Sequence, residues 1–238
     1  MTTVRLSVSL VSAGLLALVS TAQAATVLID FGQNGAGFVS SGNWNNFAQS
    51  TSYRFSQTSG NTTLMLENMI DSSGQGTSID LYFTGQQYGS SSSGVGGIDY
   101  DVPTTTSYPQ SATRDGIYLI NGSSVTTSTF ELRDLAANEY YDLTFFATSD
   151  SAREDTTWTV DGESVVLNPT MNTTTTVTLS SVQADENGVV EITWKSPSAG
   201  NAGLWGTLEI VAVPEPATAG LLVGALALSA VAIRRRVR

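Results

Sequence analysis

Trp44 stands in the run SGNWNNF, residues 41–47, between Asn43 and the pair Asn45 and Asn46. An indole face flanked by amides that both donate and accept can grip a sugar, the ring stacking while the amides take hydroxyls. The same ring could instead close the edge of a packed layer. Tyr88 and Tyr100 border a Ser/Gly run at 90–97 and are either two further stacking surfaces or two ordinary loop tyrosines. Carboxylates crowd in two places: Asp99 and Asp101 flank Tyr100, and Asp150, Glu154 and Asp155 share one short stretch. Oxygen ligands at that density could hold Ca2+, although no complete calcium-loop spacing is present and a solvated acidic surface gives the same pattern.

The chain contains no cysteine and no histidine. That excludes disulfides, thiolate or imidazole metal sites and every nucleophilic triad with a histidine base. A pair of carboxylates can still hydrolyse a glycosidic bond, so a carboxylate glycosidase remains the alternative to a noncatalytic binding or matrix protein. Twenty acidic residues offer too many pairings for spacing to select one. Gly94, Gly96 and Gly97 follow a serine run with no lysine nearby and do not make a phosphate loop. Residues 25–213 hold five of the ten Lys+Arg and twenty of the 21 Asp+Glu, a formal charge of −15. Nucleic acid is therefore an unsuitable partner, because counterion release needs basic clusters.

The elements that must position these residues read as strands. Period-two alternation marks 26–31, 78–83, 116–120, 141–147, 157–160, 164–167, 176–182, 189–194 and 205–211. In these runs Trp158 and Trp194 take inward, packing positions, while Trp205 fits either role. Asp161-Gly162 and Asn187-Gly188 supply the positive φ of tight turns and predict hairpins at both places. The window 63–70 followed by Asp71-Ser72-Ser73-Gly74 reads as strand, turn, strand, and 90–97 and 103–111 read as loops. Many short strands with little helix predict an all-β antiparallel sandwich, jelly-roll-like, as a single domain over 25–213.

Both ends read differently. Arg5, an apolar run and Ala22-Gln23-Ala24 form a secretory signal peptide, 1–24, with cleavage after Ala24 by signal peptidase following passage through the export translocon. Residues 217–233 are uncharged and mostly apolar, about 26 Å as a helix and long enough to span hydrocarbon. Arg234, Arg235, Arg236 and Arg238 follow and hold that end on the cytoplasmic side. Pro214, Glu215 and Pro216 precede the span. The order Pro-Glu-Pro, apolar helix, arginine cluster resembles the PEP-CTERM sorting signal of exported bacterial proteins. That resemblance covers about 25 residues, 214–238. It implies transient residence in the inner membrane, processing near the motif by an exosortase, and delivery to the cell surface or medium.

A second resemblance covers the domain. LIDFG at 28–32, RDGIY at 114–118 and the stretch 130–147 resemble galactose-binding-like and malectin-like sandwich domains of exported proteins. The resemblance implies a sandwich fold, and extracellular polysaccharide as a partner for those relatives that bind glycans. It transfers no ligand residue.

Overall fold

The computed structural model describes residues 25–33, 37–49, 54–56, 65–84, 87–91, 105–119, 126–197 and 203–214. The signal segment, the apolar span, the arginine cluster, Glu215, Pro216, Asp99, Tyr100 and Asp101 lie outside them.

The described chain is mostly β-strand, arranged in three sheets. A five-stranded sheet runs β12 (Val177–Gln183), β9 (Tyr140–Phe146), β15 (Thr207–Val213), β1 (Thr26–Gln33), β2 (Asn45–Gln49). A six-stranded sheet runs β11 (Glu163–Leu167), β10 (Thr156–Val160), β13 (Val190–Lys195), β8 (Thr127–Arg133), β5 (Asp80–Phe83), β4 (Met65–Leu66). A smaller sheet joins β14 (Leu204–Trp205), β7 (Gly116–Leu119), β6 (Gln87–Ser91) and β3 (Arg54–Ser56). Pairing is antiparallel throughout except between β1 and β2, which run parallel.

The alternation seen in the sequence becomes two sheet faces. Val27, Ile29 and Phe31 of β1, Leu143 and Phe145 of β9, and Leu208 and Ile210 of β15 point into one core. They meet Phe130 and Leu132 of β8, Trp158 of β10 and Ile192 and Trp194 of β13 from the facing sheet. Rings bridge the layers: Phe145 stacks on Trp158 at 4.9 Å, and Phe31 meets Phe130 edge-on at 5.6 Å. Trp205 takes the centre, with Phe31, Phe130, Phe145, Trp158 and Trp194 all within 6.0 Å between centroids. Its indole N–H donates to the Thr207 carbonyl at 3.0 Å, so the ring is buried with its one polar atom satisfied. The residue that alternation left open is thus a core residue, as Trp158 and Trp194 are.

The structure revises several local expectations. The run 205–211 is two strands, because Gly206 breaks it. Gly206 donates to Phe146 O and accepts from Phe31 N, both at 2.9 Å, and thereby hands the chain from the small sheet to the five-stranded one. Asp161-Gly162 makes the expected hairpin between β10 and β11, with φ of 50° and 85°. Asn187-Gly188 does not, since β12 and β13 belong to different sheets. There Asp185 Oδ1 accepts from Asn187 N and Val189 N, both at 2.8 Å, and Gly188 presses against the Leu135 carbonyl, turning the chain from one layer to the other. Ser90 and Ser91 belong to β6 rather than to a loop, and Gln110 and Ser111 open the four-residue helix α1 (Gln110–Thr113). Strands β2, β3 and β6 are too polar for alternation to reveal.

Candidate functional site

Alternation leaves β1 with a second face, carrying Leu28, Asp30 and Gly32. Register places Leu28 opposite Glu209, Glu209 opposite Thr144, and Thr144 opposite Thr178, a row across four strands of the five-stranded sheet. The adjoining row is Asn46, Asp30, Thr207 and Phe146. Segment 105–115 crosses this face and covers the second row. Ser111 Oγ lies 3.0 Å from Ser40 Oγ, the Tyr108 ring meets Phe146 at 6.2 Å, and the Asp115 carboxylate occupies the space a side chain on Gly32 would need.

Beside this cover Glu209, Thr144 and Thr178 of the first row form the floor of a groove of about 340 Å³, lined also by Thr106, Ser107, Tyr108, Thr174 and Thr176. One wall is segment 105–108, joined to the opposite wall by Thr105 N donating to Thr173 O at 2.8 Å. Tyr108 OH donates to Glu209 Oε2 at 2.7 Å, and the Thr144 and Thr178 hydroxyls pair at 2.9 Å. Burial, then the hydrogen bond to Glu209 and its charge, push the Tyr108 phenol far above its ordinary range, so it stays a neutral donor. Hydroxyls that donate or accept, one carboxylate that only accepts, and an aromatic edge suit a ligand rich in hydroxyl groups.

Trp44 does not line this groove but touches a residue of its wall. Its half-buried ring meets Tyr108 edge-on at 5.6 Å. Its amide neighbours do other work. Asn45 Nδ2 donates to Leu28 O and Ile70 O while its Oδ1 accepts from Ile70 N, and Asn46 brackets the Ser40 peptide through both ends of its amide. Asn43 donates to Ser72 O. These asparagines hold the chain around β2 through bonds to backbone groups. Tyr88 lies in β6 of the small sheet, paired with Phe55 and Leu119, whereas Trp44 directly precedes β2 of the five-stranded sheet. Asp150 and Asp155 are exposed and Glu154 half-buried; Asp155 Oδ1 accepts from Asn168 at 2.9 Å. Among the described residues no three carboxylates gather where one ion could be held.

Asp30 was absent from the sequence-level candidates. It is 1 % exposed. Its Oδ2 accepts from Ser40 N at 3.0 Å, while Oδ1 is buried with no hydrogen-bond partner among the described residues. Desolvation outweighs the Ser40 hydrogen bonds and pushes the carboxyl up to about 7. Its signal in the sequence was an acid within the otherwise apolar run LIDF. Tyr108 and Glu209 carried no such signal, since 101 positions separate them.

No family model matches the chain, and no curated protein does. Among solved structures, the chain is remotely similar to exo-beta-1,3-galactanase from Phanerochaete chrysosporium with galactose, at 16 % identity over 41 % of this chain and 23 % of that one, TM-score 0.28. A single-residue variant of the same galactanase with beta-1,3-galactotriose gives 14 %, 56 % and 41 %, TM-score 0.29. TmCBM61 in complex with beta-1,4-galactotriose gives 16 %, 40 % and 70 %, TM-score 0.27. The chain thus spans about a quarter of the length of the first galactanase chain it matches.

Proposed function

We propose that this is a noncatalytic, exported surface or matrix protein that binds a glycan in the groove between 105–108 and 173–178. The observation that carries the reading is the groove itself: a Tyr108–Glu209 pair and a floor of threonine hydroxyls beside the half-buried Trp44 ring. Glu209 is the single carboxylate among the described residues lining it, whereas hydrolysis of a glycosidic bond by carboxylates takes two. The sandwich is jelly-roll-like on this reading. The purified protein is to be screened on a glycan array and against chromogenic glycosides. Binding without turnover is expected, and turnover abolished by one carboxylate substitution would replace a binding protein with a glycosidase.

Export and sorting are part of the same proposal and rest on the order of the signal peptide, Pro214-Glu215-Pro216, the apolar run 217–233 and the arginines. Strand β15 ends at Val213 and Pro214 follows it, exposed. A processing enzyme requires an extended site, and proline on both sides of a residue disfavours helix there. Mass spectrometry of surface or secreted protein should find a species lacking the arginine cluster. Replacing Pro214, Glu215 and Pro216 with alanine should trap the full-length form in the inner membrane. An intact Arg238 end on mature surface material would leave only a simple anchor.

A further inference from the structure

We propose that Glu209 makes the groove selective for uncharged sugars and turns away their uronic-acid counterparts, an inference that rests on the glycan-binding reading above. No lysine or arginine lines the groove among the described residues, so an anionic ligand would find no counter-charge there. The Glu209 carboxylate is anchored on one side only: Oε2 takes the Tyr108 hydroxyl at 2.7 Å, and Oε1 takes no hydrogen bond from any described residue. Tyr108, kept neutral by burial and by Glu209, remains the donor in that pair. Oε1 therefore has full capacity for a ligand, and a carboxylate only accepts. A sugar hydroxyl can donate to it in a charge-assisted bond, the stronger kind. A uronate carboxylate has no proton to donate and brings like charge against like, which at contact distance weakens binding about tenfold or more. The threonine hydroxyls at 144, 174, 176 and 178 can donate or accept. They serve either ligand, and discrimination falls on Glu209.

The test compares matched trisaccharides that differ only at C6, galactose against galacturonate and glucose against glucuronate, titrated by calorimetry into the purified protein. In about 0.5 M NaCl the long-range field of the acidic domain is screened to a few ångströms, leaving the local contact. The wild type should prefer the neutral member of the better-bound pair by about tenfold or more. Glu209→Gln keeps an acceptor for Tyr108, removes the charge, and should shrink that preference to about threefold or less, chiefly by gaining uronate affinity. Thr178→Lys, at an exposed position in the same row, should also raise uronate affinity and serves if the first variant does not fold. Equal binding of both members by the wild type, or a preference unchanged in both variants, overturns the proposal while leaving glycan binding standing. No binding of either member overturns the glycan reading and this inference with it.

Discussion

The two faces of β1 are both buried near Asp30, yet they are buried by different means. Inward, Val27, Ile29 and Phe31 meet rings from the facing sheet, and such contacts tolerate a range of orientations. Outward, Asp30 and Gly32 lie under segment 105–115, which is fastened by directional links from Asp30 and Asn46 to Ser40, from Ser40 to Ser111, and from Tyr108 to Glu209. The first kind of burial gains free energy from area removed from water. The second covers polar atoms at some cost and leaves the Asp30 Oδ1 and Thr207 Oγ1 atoms without partners among the described residues. Low exposure alone therefore does not mark a residue as core, and one place where burial leaves polar atoms unpartnered adjoins the groove; the indole N–H groups of Trp158 and Trp194, inside the core, are another among the described residues.

The largest effect expected from this contrast is on the inner face. Trp205→Ala should cost about 3–5 kcal/mol, because it empties the point where five rings meet. Chemical denaturation measures it, and a loss under about 1 kcal/mol would move the centre of the core elsewhere.

On the outer face the expected effect depends on pH. The folded Asp30 carboxyl sits at about 7 against 3.8 for the free group, so the fold holds a proton that the unfolded chain releases. Stability should be complete below about pH 4, fall as pH rises towards 7, and level off above it, with a span of at most about 4 kcal/mol. Asp30→Asn cannot ionise and should flatten this part of the profile while retaining an acceptor for Ser40 N. Parallel profiles for wild type and variant would show that Asp30 carries its charge in the fold at little cost.

The smallest stability effect is expected at Trp44, which pairs with Tyr108 at the groove rather than with the core. Trp44→Ala should lower stability by only about 1 kcal/mol while abolishing or sharply weakening any glycan affinity. A loss of 3 kcal/mol or more would assign the ring to packing and erase the contrast.

The parts legible in the sequence were those set by neighbours along the chain. Alternation located the inward positions of β1, β9, β10 and β13, and Asp161-Gly162 declared its hairpin because positive φ is a local demand. What stayed hidden depends on pairing across the chain. Asn187-Gly188 has the same turn chemistry, but the flanking strands find partners in opposite layers. Trp205 looked ambiguous because a two-residue strand has no period to read, and its place is fixed by rings from five other positions. The groove was the least visible feature: Tyr108 lay in a stretch without periodicity, and Glu209 showed only as the polar member of an alternating strand. Trp44 stood out in the sequence by its neighbours, and the structure sets its ring against Tyr108 while the amides around it bond backbone groups.

Strand β15 lies between β9 and β1 and carries Glu209 four residues before its end at Val213. Ala212 N bonds Ala25 O at 3.3 Å, so the chain enters and leaves the sheet at one corner. If the chain beyond Pro214 is fixed to a surface while a ligand is held at Glu209, tension runs along β15. The ladder bonds on both sides of that strand lie across the line of pull. They would have to slide together, and this strand has a ladder on each side where an edge strand has one. The floor of the groove is then also its mooring line, and the strand in contact with ligand is the one best placed to bear the load.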